Sequence, residues 1–208
     1  MLPSLKQIIF LVPVILLSLS IHEFSHGMVS HKLGDPTPEQ HGRLTLNPIS
    51  HLDPVGTLVL VVTMRFGWAK PVPVNPRYYK NPRRGMMLVG LAGPGANIVL
   101  AYLFSLIAKS GLLELIGYNV NLGLARTSAQ FFQLAIIVNL GLAIFNLLPI
   151  PPLDGSKILR GILPPRYDQY LHKLEGPGGM IVIMILAFTG ILGKIISPII
   201  LGLYRLII

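Results

Sequence analysis

The chain has 208 residues, of which 52% are hydrophobic and only 12% are charged, and its mean hydropathy is +0.66. Since an ordinary soluble domain carries about 25% charged residues, this composition excludes a typical water-soluble protein and indicates a membrane protein. The formal net charge of +9 does not indicate nucleic-acid binding, because the Lys and Arg residues lie between the apolar blocks and form no basic stripe with aromatic residues. The sequence has no cysteine, so any bound metal must be held by His, Asp or Glu.

The apolar residues fall into blocks of about 20, the helix length that crosses the hydrocarbon layer of a bilayer. We predict four transmembrane helices, at about residues 5–31, 86–109, 128–149 and 179–206. The segments between them are rich in Pro, Gly, Asn and basic residues, and they contain no internal repeat. The chain is therefore expected to be one integral-membrane domain, residues 1–208.

One further apolar run, at about residues 55–66, is shorter than a membrane span. It is rich in β-branched residues and is bounded by Pro54 and Gly67. Runs of this length are more often re-entrant or interfacial than membrane-crossing. The predicted fold class is an all-α polytopic membrane protein with about four transmembrane helices plus a short re-entrant or β-rich membrane-associated segment at about 55–66.

His22, Glu23 and His26 form a His-Glu-x-x-His pattern near the end of the first apolar block. Side chains at i and i+4 lie on one face of a helix, so the two imidazoles can bind one ion, and imidazole suits zinc. A glutamate directly after the first histidine can act as the general base toward water at that ion. In a soluble protein the pattern could arise by chance with solvated histidines, but three ionisable groups inside an apolar helix are costly without a partner. We therefore predict a zinc site with His22 and His26 as ligands and Glu23 as a catalytic residue.

A catalytic zinc ion usually has three protein ligands, so a carboxylate from elsewhere must complete the site. Among the eight acidic residues, Asp154 is the best candidate, because it follows the third apolar block after a group of prolines that end the helix. All ligands of one ion must lie at the same membrane depth, so an even number of crossings must separate Asp154 from the two histidines. This requirement favours a re-entrant segment at 55–66 over a crossing one.

These residues resemble two motifs of the site-2 protease family of intramembrane zinc metalloproteases. The second motif reads Asn146-x-x-Pro149-x-Pro151-x-Leu153-Asp154-Gly155, and a further family element is similar to Ala92-Gly93-Pro94-x-x-Asn97. The resemblance covers about residues 20–160 and is to the compact bacterial and archaeal branch, without a PDZ-like segment. It implies one catalytic Zn²⁺ held by His22, His26 and Asp154, with Glu23 as the base. It also implies an endopeptidase that cuts transmembrane protein substrates in or near their membrane segments, as in regulated intramembrane proteolysis.

Two asparagines are candidates for substrate contacts. Asn146 begins the second motif and could donate a hydrogen bond to the oxyanion or to a substrate carbonyl, which would make it a catalytic residue. Asn97 has the same interpretation. For both residues the alternative is that the amide only bridges helices.

The basic residues predict the orientation of the chain. Of the 17 Lys and Arg residues, twelve lie in the segments 32–85 and 151–178, which share one side of the membrane if 55–66 does not cross. Cytoplasmic loops carry an excess of Lys and Arg. We therefore expect a multi-pass protein of a prokaryotic cell membrane, surrounded by the lipid bilayer, with its active site toward the cytoplasmic side. The bias would weaken if 55–66 crossed.

Two other functions use the same ligands. A zinc transporter or channel would need a polar path through the membrane, but the helices at 86–109 and 128–149 offer mainly amides. A catalytically inactive scaffold would have no need of Glu23, which is intact. The sequence therefore favours a protease over both alternatives.

Overall fold

The structure is a computed structural model that describes residues 5–57 and 68–208, and its regular secondary structure in these ranges is helical. One isolated antiparallel bridge joins Leu52 and Ala69. Short 3-10 turns occur at Pro48–His51, Pro76–Tyr78 and Pro165–Tyr167. The α-helices with defined bounds are α1 (Leu5–Lys32), α2 (Thr37–Gln40), α3 (Pro82–Lys109), α4 (Leu112–Asn119), α5 (Leu122–Asn146), α6 (Asp154–Ile162), α7 (Asp168–Lys173), α8 (Pro177–Phe188) and α9 (Ile191–Ile207).

Three of the described helices are long and apolar enough to cross a membrane: α1, over Ile8–Lys32, α3 and α5. A bent pair of helices, Pro165–Lys173 and Gly178–Phe188, meets at 67° and would make a fourth span if it acts as one. The predicted class of an all-α polytopic membrane protein is thereby confirmed. The lengths of the apolar blocks were sufficient for this result, because long apolar segments in lipid must satisfy their backbone hydrogen bonds internally.

The prediction of a single helix over 179–206 is wrong. The structure contains two helices there, α8 and α9, separated at Thr189 and Gly190. Gly190 has a φ of +75°, in the left-handed region that glycine adopts without a steric penalty, and this conformation ends α8. Hydropathy averages over such a break, so the sequence pattern did not reveal it.

Two of the membrane-spanning helices begin earlier than their apolar blocks. Asn81 precedes α3, and its side chain accepts a hydrogen bond from the backbone N–H of Arg84. Asn121 precedes α5 and accepts from the N–H groups of Gly123 and Leu124. Because these caps satisfy free N–H groups of the first turn, each helix can start several residues before the long apolar block that hydropathy detects.

The three membrane-spanning helices pack together around a buried amide pair. The Asn97 amide of α3 donates to the carbonyl of Ser18 in α1 (3.2 Å) and to Oδ1 of Asn139 in α5 (2.9 Å). Phe10 of α1 lies against Phe131 of α5, with ring centroids 5.8 Å apart. These contacts make α1 parallel to α5 and both antiparallel to α3. The last turn of α1, the first turn of α3 and the last turn of α5 therefore lie at the same end of the bundle.

Most of the predicted segment at 55–66 lies outside the described residues, which stop at residue 57 and resume at residue 68. Residues 54–57 are helical. The N–H of Lys70 donates to the carbonyl of His51 (2.9 Å), next to the Leu52–Ala69 bridge. The described residues on either side of the segment are therefore neighbours.

A buried carboxylate organises the chain that follows α1. Asp35 accepts hydrogen bonds from the hydroxyl of Ser30 (2.7 Å), the N–H of Thr37 (2.9 Å) and the N–H of Asn75 (2.7 Å). The Ser30 hydroxyl is also 2.7 Å from the hydroxyl of Tyr79. Asp35 thus ties the end of α1 to Asn75, which lies 40 residues further along the chain.

We expect Asp35→Asn to lower the free energy of unfolding by about 2 kcal/mol at neutral pH, because an amide cannot accept at both terminal atoms. Burial tends to raise the pKa of Asp35, but the hydrogen bonds from Thr37, Asn75 and Ser30 outweigh burial and hold that pKa below its usual value of 3.8. Since the folded-state pKa is depressed, the stabilisation is present above the unfolded-state pKa and is lost as pH falls through the folded-state pKa. Thermal unfolding in detergent should show a Tm difference between wild type and variant that narrows below about pH 4. A Tm difference that is independent of pH would contradict this account.

Candidate metal centre

The structure brings His22, His26 and Asp154 together, although 132 residues separate the first from the last. The Nε2 atoms of the two histidines are 3.0 Å apart. Oδ2 of Asp154 lies 3.1 Å from Nε2 of His22 and 3.0 Å from Nε2 of His26, and all three residues are buried. Atoms bound to one tetrahedral zinc ion at about 2.0–2.1 Å lie about 3.4 Å from each other. The three atoms are therefore spaced nearly as the ligands of one ion would be.

The hydrogen bonds made by the Nδ1 atoms of the two histidines determine the tautomer of each ring. Nδ1 of His26 donates to the carbonyl of Val89 (2.6 Å), and Nδ1 of His22 lies 2.6 Å from Oδ1 of Asn97. The amide nitrogen of Asn97 donates to the Ser18 carbonyl and to Asn139, so its oxygen must be the atom that faces His22. Both Nδ1 atoms therefore carry the proton in the neutral rings. Both Nε2 atoms are left as acceptors, which is the tautomer that a histidine requires to bind a metal through Nε2.

With both rings neutral, three unprotonated acceptor atoms, one of them anionic, converge at 3.0–3.1 Å. Such atoms repel one another unless a cation lies between them, so the donor set fits a divalent ion. Gly93 of α3 leaves the space in front of these atoms open. A Cβ at this position would lie 2.5 Å from Nε2 of His26 and 2.6 Å from Nε2 of His22. The combination of two imidazoles and one carboxylate matches a catalytic zinc site with one position left for water.

The remaining predicted residues differ in their relation to this site. A cavity of about 130 Å³ borders the three ligands, and Glu23 and Asn146 are among its lining residues. Oε2 of Glu23 accepts a hydrogen bond from the N–H of Val72 (2.9 Å), which is also a lining residue of the cavity. The Asn146 amide donates to the carbonyl of Leu142 (2.9 Å), and its oxygen has no hydrogen bond to any described residue. Both side chains can therefore reach a molecule bound in the cavity.

Asn97 is not among the described residues that line the cavity. Its side chain is fully buried behind the His22 ring, and its oxygen and its nitrogen both have partners. An amide that is already satisfied would have to give up a hydrogen bond to contact substrate. The geometry therefore favours a positioning role for Asn97, whereas contact with the oxyanion remains a prediction for Asn146.

The sequence analysis missed three groups that form hydrogen bonds in or around the metal-binding group: the Val89 carbonyl, Asn139 and Lys157. Asn139 is a fully buried amide in an apolar block, and polar residues in such blocks are often functional. Lys157 lies three residues after Asp154, which is ion-pair spacing in a helix, but the sequence had not predicted α6. A backbone carbonyl such as that of Val89 leaves no signal in the sequence.

Comparison with known proteins identifies the family. The sequence model of the family described as "Peptidase family M50" matches residues 10–189 of this chain. The chain belongs to peptidase family M50. This confirms the resemblance to the site-2 protease family and the prediction of a metallopeptidase.

Several bacterial and archaeal proteins are similar to this M50 chain. YwhC of Bacillus subtilis (strain 168), whose provisional name is zinc metalloprotease, is 40% identical over 190 residues, covering 91% of this chain and 84% of YwhC. Rip2 of Mycolicibacterium smegmatis has the same kind of provisional name. It is 32% identical over 182 residues, covering 82% of this chain and 64% of Rip2. "Zinc metalloprotease MJ0392" of Methanocaldococcus jannaschii is 28% identical over 127 residues, covering 60% of this chain and 34% of that protein.

No solved structure matches this M50 chain. The predicted zinc cofactor agrees with the zinc metalloprotease names of the relatives and with the metal-binding group of His22, His26 and Asp154. The apolar helices and the family together identify an integral membrane protein.

Proposed function

We propose that this M50 peptidase is a zinc-dependent intramembrane endopeptidase that cleaves transmembrane proteins within or next to their membrane segments. The observation that carries the proposal is the position of the metal-binding group. Two of its three members lie inside α1, which is apolar enough to cross a membrane, and the cavity beside them is lined by Val89 of α3 and by Asn146 at the end of α5. A buried hydrolytic centre between membrane helices suits a substrate that is itself in the membrane.

His22, His26 and Asp154 would hold the ion. A bound zinc ion supplies Lewis acidity toward a peptide carbonyl and lowers the pKa of water. Glu23 takes the proton from the attacking water and then transfers it to the nitrogen of the leaving amine. The N–H of Val72 holds one oxygen of Glu23 and leaves the other for this proton transfer. Asn146 donates its second N–H to the substrate oxygen on which negative charge develops.

We further propose that the site faces the cytoplasmic side of a prokaryotic cell membrane. The metal-binding group is near the end of the bundle where α1 ends and α3 begins, and the basic segments 32–85 and 151–178 follow the helices at that end. An excess of Lys and Arg is typical of cytoplasmic loops. Ligands from both ends of the sequence can meet on one side of the membrane only if an even number of crossings separates them. Among the described helices, α3 and α5 are the two between His26 and Asp154 that are apolar enough to cross.

The test is cleavage of single-span substrates by the purified protein in liposomes, with the cut bond mapped by mass spectrometry. We expect cuts within or beside the membrane segment, loss of cleavage with a zinc chelator, and recovery when Zn²⁺ is restored. The same polar substrate regions without the membrane segment serve as the control. Zinc-dependent cutting that is equally fast in those soluble fragments would identify an ordinary metallopeptidase and contradict the intramembrane function.

A further inference from the structure

The two oxygens of the Asp154 carboxylate face different partners. Oδ2 lies 3.1 Å and 3.0 Å from the Nε2 atoms of His22 and His26, whereas Oδ1 lies 2.8 Å from Nζ of Lys157. Lys157 also lines the cavity beside the metal-binding group. The carboxylate is therefore divided between the histidine pair and a lysine that no motif includes.

This ion pair differs from an ordinary pair on a helix surface. Pairs at i and i+3 between exposed groups contribute little, since water competes for both charges. Here the Asp154 side chain is only 5% exposed, although that of Lys157 is 34% exposed. The stem of Lys157 packs against α3 at Gly90. A Cβ added at Gly90 would lie only 3.0 Å from Cβ of Lys157. The ammonium group is thus held at one oxygen of a buried carboxylate.

A carboxylate can bind a metal through one oxygen or through both. A catalytic zinc site has three protein ligands and keeps a position for water or substrate. If both oxygens of Asp154 were free, the second oxygen could compete for that position. Its existing hydrogen bond to a charged donor makes this competition unfavourable, because charge-assisted hydrogen bonds are about twice as strong as neutral ones.

We propose that Lys157 is a positioning residue that holds Oδ1 of Asp154, so that this aspartate presents a single oxygen to the ion and the position for water stays open. The inference rests on the proposed zinc-peptidase function. Lys157 acts through Asp154 and needs no contact with substrate. It therefore affects the coordination of the ion before any substrate is present.

The test replaces zinc by Co²⁺, whose visible absorption is strong in four-coordinate sites and weaker when a further ligand binds. We expect Lys157→Met to reduce the absorption intensity of the cobalt-loaded protein and to lower kcat about 10- to 100-fold, with a smaller effect on KM. Lys157→Arg keeps a charged donor and is expected to restore the wild-type spectrum. Lys80→Met, a change of the same kind at an exposed lysine, should leave the spectrum and kcat unchanged.

Lys157→Ala provides a second substitution with the same expected spectrum, so that the test does not depend on the folding of one variant. A wild-type cobalt spectrum in Lys157→Met or Lys157→Ala would overturn the proposal, whatever happens to cleavage. Because the cobalt spectrum is recorded without substrate, it tests the positioning role of Lys157 separately from the proposed peptidase function. If the wild-type protein cuts nothing while the spectrum still responds to Lys157, the proposed function fails and the positioning role stands.

Discussion

Glu23→Gln is expected to leave zinc bound at the wild-type stoichiometry and to lower kcat/KM by a factor of about 10³. Glutamine has nearly the same shape and its oxygen can still accept the hydrogen bond from Val72, so the backbone at Val72 should keep its position. The amide cannot take a proton from water, however. The measurement combines zinc content by elemental analysis with cleavage of a single-span substrate in liposomes.

Glu39→Gln is the matched control for this prediction. It makes the same chemical change at an exposed glutamate in the short helix α2, and it should change neither zinc content nor cleavage. Cleavage by Glu23→Gln within a few-fold of wild type would show that another group is the base. Loss of zinc in that variant would instead assign Glu23 to the metal-binding group.

Gly93→Ala is expected to lower zinc affinity by about 100-fold through a single methyl group. That methyl carbon would lie 2.5 Å and 2.6 Å from the Nε2 atoms of His26 and His22, and real Cβ atoms essentially never approach another heavy atom within 3.0 Å. Either the imidazoles rotate away or α3 moves from α1, and both changes separate the ligands. Competition with a chelator of known zinc affinity measures the effect.

Gly95→Ala tests whether alanine itself is harmful in this part of α3. Gly95 is two residues further along the helix, and a Cβ there would have nothing within 4 Å. Since alanine is a better helix former than glycine by about 1 kcal/mol, this variant should bind zinc normally and be slightly more stable. Equal zinc affinity of Gly93→Ala and wild type would mean that Gly93 does not face the bound ion.

The sequence by itself determined that the chain lies in a membrane and which fold class it has, and it predicted three metal ligands, His22, His26 and Asp154, which the structure brings together. Apolar blocks near the length of a bilayer indicate membrane helices, because a backbone in lipid has no alternative to internal hydrogen bonds. His22 and His26 are one helical turn apart, so local geometry alone places them on one face. For Asp154 the sequence supplied chemistry and membrane depth but no distance.

Only the tertiary structure decided how these groups are held. The tautomers of the two histidines depend on the Val89 carbonyl and on Asn97, which lie on α3, far from the histidines in sequence. The break at Gly190 is a single backbone conformation that an average over apolar residues does not register. Hydropathy and motif spacing report length and chemical type along one chain. Packing between helices sets two details that these patterns do not report. One is the amide that accepts a hydrogen bond from the His22 ring, and the other is the oxygen of Asp154 that contacts Lys157. Both depend on packing because hydrogen bonds in a buried site are sensitive to distances of a few tenths of an ångström.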